Sequence, residues 1–308
     1  MKDQLDRQQS YRGIVPAFYT CFDDEGQVSE KRCRLLARHL QKAGVQGLYV
    51  GGSSGECIYL GVEERMRLLE AVMDEVGDEL VIIAHVACNN TKDSKVLAAH
   101  AESLKVDAIA AIPPIYFRLP EASIAAYWNA ISASAPNTDF FIYNIPQLAG
   151  VALTPGLYAE MLKNPLVAGV KNSSMPTMDI ERFKRQDPSR IIWNGPDEQL
   201  ASGLIMGASG GIGGTYAVMP KLYLAIEAAV CRGDLEKAQA LQAQATDLIG
   251  KLCSGKGHMY AMAKAVLSRQ LGQDLGSVRA PLAPMQAGDE VIADALWRDI
   301  DQVYCDLL

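Results

Sequence analysis

What most constrains this chain is an alternation. Eight short apolar runs, Gly13 to Tyr19, Gly47 to Val50, Leu80 to His85, Ala108 to Ile112, Phe140 to Tyr143, Val167 to Lys171, Ile191 to Asn194 and Gly210 to Gly213, are separated by amphipathic stretches. Near-continuous apolar strands of this kind belong in a parallel sheet covered on both faces. Eight β/α units close more naturally into a (β/α)8 TIM barrel, an α/β fold of ~250 residues, than into an open doubly wound sheet, although pattern alone permits either.

The intervening stretches carry helix signals. Val62, Met66, Leu69, Val72, Met73 and Val76 recur at helical spacing, and Ser29 is a natural cap for a helix that puts Cys33, Leu36, Ala37 and Leu40 on one face. Past Met219 the strands stop. An Asp234-capped stripe through Leu252, a second from Met259 to Leu271 and a third from Asp289 to Leu308 predict a C-terminal helical appendage. Its connection Arg279-Ala-Pro281-Leu-Ala-Pro284 is too proline-rich to be helical. The expected organisation is a barrel over residues 1–224 and, without a flexible linker, an appendage over 225–308.

Charge and composition exclude several partners. Of 308 residues, Lys and Arg total 29 against 36 Asp and Glu, a net charge of −7 that repels phosphate backbones and anionic lipid. No apolar run approaches the ~20 residues of a membrane span. Met1 to Ser10 is polar and lacks a signal-peptide core, so a cytoplasmic protein with neither nucleic-acid nor membrane partners is expected. Seven scattered cysteines form no C-x-x-C pair and read as reduced structural thiols.

In such a barrel the carboxyl ends of the strands share one mouth, and function is read there first. After the second run stands Gly51-Gly-Ser53-Ser54-Gly55-Glu56, whose hydroxyls and turn amides suit a carboxylate or phosphate, though an ordinary Gly/Ser turn is the simpler reading alone. Tyr143 ends the fifth run as a wall residue or a proton-transfer group. Lys171 follows five apolar residues. If its strand is central, burial lowers its pKa toward that of an amine nucleophile; the competing reading is a lysine snorkelling to the rim. Asp197 and Glu198, after the seventh run, could bind sugar hydroxyls or cap the next helix. The eighth run lacks the G-x-G-x-x-G spacing because Tyr216 stands where the last glycine belongs, so no dinucleotide cofactor is expected. His39 and His100 lie in helix patterns, His258 in the appendage, and only His85 ends a strand; they form no metal constellation, and a triad hydrolase has no support.

Taken together, GGSSGE after strand two, YNIP after strand five and the apolar run ending in Lys171 resemble the N-acetylneuraminate lyase and dihydrodipicolinate synthase family over nearly the whole chain. The resemblance implies a class I, Schiff-base aldolase acting on pyruvate or another 2-keto acid, without a metal or cofactor, in a homotetramer built as a dimer of dimers. It implies Lys171 as the imine-forming lysine, Tyr143 as acid/base, Ser53 and Ser54 as the keto-acid carboxylate pair, and Tyr116 as the tyrosine lent to a neighbouring subunit's proton relay. It assigns the substrate side to Gly195, Asp197, Glu198 and Gly213. Residues 143–154 and Ile82 to Val86 are lyase-like, and Leu148 stands where dihydrodipicolinate synthases carry a carboxylate-holding arginine.

The resulting expectation is reversible cleavage of N-acetylneuraminate or a related sugar keto acid to pyruvate and an aldehyde sugar. The alternatives are a dihydrodipicolinate synthase or another 2-keto-acid aldolase of the same family, a non-catalytic keto-acid sensor, and a phosphate-binding barrel enzyme using GGSSGE as its cup.

Overall fold

The structure, a computed structural model, describes residues 9–307. Each of the eight apolar runs is a strand: β1 Gly13–Pro16, β2 Gly47–Val50, β3 Val81–His85, β4 Ala108–Ala111, β5 Asp139–Asn144, β6 Val167–Asn172, β7 Ile191–Asn194 and β8 Gly210–Gly213. All neighbours pair in parallel, in the order β1-β8-β7-β6-β5-β4-β3-β2. The two ends of that sheet meet through the Ala17–Tyr49 bridge and the Phe18 N–H donating to Tyr49 O at 2.9 Å. The sheet is therefore a closed (β/α)8 barrel.

Side chains alternate between two cores. Val81 and Ile83, Phe141 and Tyr143, and Ile191 and Trp193 point into the barrel, whereas Ile82, Phe140, Ile142, Val170 and Ile192 join the outer core beneath the helices. Strands buried on both faces need apolar residues at every position, which is why the runs show no period-two pattern. An aromatic plug fills the amino-terminal end. Tyr11 lies edge-on to Phe141 at 5.1 Å, its hydroxyl donates to Asp107 O and Asp139 Oδ2, and Trp193 Nε1 donates to Tyr11 O.

The barrel helices are α1 Glu30–Lys42, α2 Val62–Val76, α3 Thr91–Ser103, α4 Glu121–Ser132, α5 Pro155–Met161, α6 Met178–Gln186, α7 Leu200–Ile205 and α8 Pro220–Cys231. Ser29 caps α1 by accepting from Arg32 N, and Cys33, Leu36, Ala37 and Leu40 are its buried face. Helix α8 runs through the expected division at residue 224. That helix ends at Cys231, and after Gly233 (φ +75°) Asp234 caps α9, Leu235–Leu252. Helices α10, Met259–Leu271, and α11, Asp289–Asp306, complete the appendage. Among the described residues no helix is long and apolar enough to cross a membrane.

The appendage is bound to the mouth by polar contacts as well as by apolar packing. Lys264 on α10 pairs with Glu56 of the GGSSGE turn at 2.7 Å, both essentially inaccessible to solvent. Lys264 also donates to Ser277 O, and the Arg279 amide donates to the second Glu56 oxygen at 2.8 Å. Every charged atom of that pair is thus answered, the condition under which a buried ion pair is tolerated.

Candidate active site

Lys171 occupies the penultimate position of β6 and is only 4% exposed. Register places it between Tyr143 on β5 and Trp193 on β7. Its Nζ lies 4.0 Å from the ring centroid of Tyr143 and 4.2 Å from that of Tyr49. Burial drives its pKa down to about 7; the negative potential of Asp197, then of Cys57, opposes the fall. The lysine does not snorkel to the rim, and a large share of it is an uncharged amine at neutral pH.

Tyr143 meets Tyr49 and His85 edge-on, at 5.7 and 6.0 Å. Burial raises its pKa to about 12, while hydrogen bonding with Ser53 and Ser173 pulls the other way. It is therefore a neutral phenol with Ser53 and Ser173 beside its hydroxyl. Ser173 carried no signal of its own, since only its place two residues after Lys171 marks it out.

The GGSSGE turn closes with Gly55 N and Glu56 N donating to Gly52 O and Ser53 O, each at 3.0 Å. Thr20 Oγ1 donates to Gly55 O at 2.6 Å, and His85 Nδ1 lies 3.0 Å from Gly51 O. His85 thus supports the turn; burial, chiefly, and the nearby Arg65 hold its pKa well below the usual imidazole value. Among the described residues no chain acceptor takes the amides of Ser53 and Ser54, which leaves them for an anion. Tyr260, on the first turn of α10, packs edge-on to Tyr19 at 5.8 Å and lies beside Ser54. Sequence reasoning missed this tyrosine because it sits within a routine helical stripe.

Asp197 does not cap its own helix. Its Oδ2 accepts from the amide and hydroxyl of Thr215, at 2.7 and 2.6 Å. Thr215 Oγ1 is itself 2.6 Å from the Tyr223 hydroxyl on α8. Burial raises the Asp197 pKa to about 6 against the lowering effect of those Thr215 bonds. Its Oδ1 lies against Gly213, where a Cβ would collide with it; a Cβ on Gly195 would likewise collide with Ser173 Oγ. Both glycines are demanded by close approach at the mouth. Glu198 is exposed beside Asp197.

Lys171, Tyr143, Ser53, Ser54, Gly195, Asp197, Glu198 and Gly213 are all carried by the carboxyl ends of their strands or by the loops that follow them. Tyr116 does not join them within one chain. It stands on the loop after β4, 89% exposed, with φ +87° and its ring edge-on to Phe117 at 4.9 Å. The ends of β5 and β6 are stitched together by Asn144 Nδ2 donating to Asn172 Oδ1 at 2.7 Å.

The dihydrodipicolinate synthetase family model matches residues 10–296. An N-acetylneuraminate lyase of Mediterraneibacter gnavus is 55% identical over 300 residues, covering 97% of this chain and 94% of that protein. One from Enterobacter sp. is 35% identical over 274 residues, 89% of this chain and 92% of that protein. Among solved structures, a catalytic-lysine mutant of the Ruminococcus gnavus sialic acid aldolase superposes with a TM-score of 0.96 at 53% identity, covering 97% of this chain and 99% of that one. With a closed barrel, a buried strand-six lysine and a match over almost its full length, this chain belongs to the dihydrodipicolinate synthetase family.

Proposed function

We propose that this protein is a class I lyase that cleaves N-acetylneuraminate, or a closely related sugar keto acid, reversibly to pyruvate and an aldehyde sugar. The observation that carries the reading is Lys171, an amine with a pKa of about 7 held between two tyrosine rings at the closed end of a polar mouth. The lyase names of the 55% and 35% identical relatives, and the catalytic lysine named in the aldolase structure, support it. Leu148, 61% exposed, offers no charge to a second carboxylate, which disfavours a dihydrodipicolinate synthase.

In this reading the substrate carboxylate sits on Ser53 and Ser54. The neutral Lys171 amine adds to the keto carbon, and the carbinolamine takes up one proton from solvent as its hydroxyl leaves as water, giving a protonated imine. Tyr143 takes the proton of the C4 hydroxyl while passing its own to Ser53, which hands its hydroxyl proton on to the neighbouring subunit's relay tyrosine and so to solvent, since a phenol with a pKa of about 12 cannot hold a negative charge unaided. The C3–C4 bond breaks, the aldehyde departs, and the electron pair moves into the imine to form an enamine. Protonation at C3 and hydrolysis release pyruvate and restore the lysine. Gly195, Asp197, Glu198 and Gly213 face the sugar tail. The exposed Tyr116 completes the proton relay of a neighbouring subunit in a homotetramer.

Incubation with pyruvate and either N-acetylmannosamine or aspartate semialdehyde separates the readings. Condensation with the sugar, together with borohydride trapping of pyruvate on the Lys171 peptide, is the expected result. Condensation with the semialdehyde alone, or trapping on another lysine, would overturn it.

A further inference from the structure

Helix α9 lies beyond the last strand, yet one of its side chains enters the framework of the mouth. After Pro196 the chain makes a single 3-10 turn, Asp197–Gln199, and α7 begins only at Leu200. In a continuous α-helix the amide of residue 201 would donate to the carbonyl of residue 197. Here those two groups are bridged by the Gln242 side chain. Ala201 N donates to Gln242 Oε1 at 3.0 Å, and Gln242 Nε2 donates to Asp197 O at 3.1 Å. A carboxamide carries both the acceptor and the donor for such a bridge, on adjacent atoms of one planar group.

Inserting an amide between Asp197 O and Ala201 N keeps the first turn open. The Asp197 carboxylate is consequently turned away from its own helix and toward Thr215, with Oδ1 beside Gly213. Thr215 is held in turn by Tyr223. We propose that Gln242 is a positioning residue: by spacing the 197–201 turn it sets where the Asp197 carboxylate stands, and through it the selectivity of the mouth for a long, hydroxylated substrate tail. The proposal rests on the sugar-reading role given to Asp197 above.

Gln242 borders an open groove of about 520 Å³ between α7 and α9, so Gln242→Met removes both bonds without opening a cavity in the core. Gln242→Glu keeps the acceptor for Ala201 N but faces Asp197 O with a carboxylate. The experiment measures kcat and KM of both variants, of Asp197→Asn, and of the Asp197→Asn/Gln242→Met double variant, with N-acetylneuraminate and with a shorter keto-deoxy acid. Pyruvate trapping and melting curves accompany it. Two neutral hydrogen bonds, each worth roughly a factor of 2 to 10, set the scale. Gln242→Met should raise KM for the long substrate about 5- to 30-fold, leave the short substrate and trapping within about twofold, and add little to Asp197→Asn. Gln242→Glu should show a loss of the same selectivity. Equal losses on both substrates, a lowered melting point with unchanged selectivity, or full additivity with Asp197→Asn would make Gln242 a structural residue and overturn the proposal. If Asp197→Asn itself leaves selectivity unchanged, the sugar-reading role of Asp197 fails, and the positioning role falls with it.

Discussion

The pH dependence of imine formation tests the central feature of the site. With a pKa of about 7, Lys171 is half neutral at pH 7. The neutral share is then about one tenth at pH 6 and about nine tenths at pH 8, whereas a solvent-exposed lysine would be neutral to roughly 0.03% at pH 7. Tyr143 stays protonated throughout that range. The second-order rate of cyanoborohydride trapping at limiting pyruvate should therefore rise about tenfold per unit below pH 6, bend near pH 7 and level off above pH 8. Because Asp197 raises the lysine pKa, Asp197→Asn should move the bend to lower pH. Mass analysis ties the trapped label to the Lys171 peptide, and circular dichroism checks that the fold is unchanged across the range. A rate still climbing tenfold per unit at pH 9, or a bend that moves upward in Asp197→Asn, would refute the reasoning.

Burying that lysine has a stability consequence with a definite sign. Its folded pKa lies below the unfolded value of 10.5, so stability rises with pH between about 7 and 10.5, and Lys171→Met should stabilise the inactive protein at pH 8 by at most about 3 kcal/mol, read as a melting-point rise of a few degrees. Lys264→Met should cost about 3–5 kcal/mol by stranding Glu56 in the core, and adding Glu56→Gln should recover part of the loss; urea melts of the two variants check this. A Tyr116→Phe protein mixed with Lys171→Ala should recover part of the activity in hybrid oligomers, because the Tyr116→Phe subunit keeps its own Lys171 and borrows Tyr116 from its Lys171→Ala neighbour; no recovery on subunit exchange counts against a shared relay.

What could be read from the sequence was whatever the chain expresses locally. A strand buried on both faces must be apolar at every position, so β1 to β8 stood out within one residue of their ends, except that the run of β1 reaches three residues past Pro16. Lys171 was conspicuous for the same reason, a charge at the end of a run that offers it no water. The helix caps at Ser29 and Asp234 are also local, each an oxygen-bearing side chain three residues before the amide that it accepts from.

The remainder of the site is made by contacts across long stretches of chain, and those leave no periodic trace. Gln242 reaches Asp197 over 45 residues, and Lys264 reaches Glu56 over 208. In sequence each is one more polar residue on an amphipathic helix, indistinguishable from its solvated neighbours. The capping alternative for Asp197 was reasonable for the same reason. Acidic residues before a helix usually serve its amides, and here the Thr215 donors 18 residues further on, with the turn held open by Gln242, draw this carboxylate elsewhere. The appendage thus braces both walls of the mouth, Lys264 behind the Ser53–Ser54 turn and Gln242 behind Asp197. Damage to the first should appear as weaker pyruvate binding, and damage to the second as lost discrimination among acceptors. That separation follows from the two contacts lying behind different strands of the barrel, β2 and β7, with Lys171 on neither.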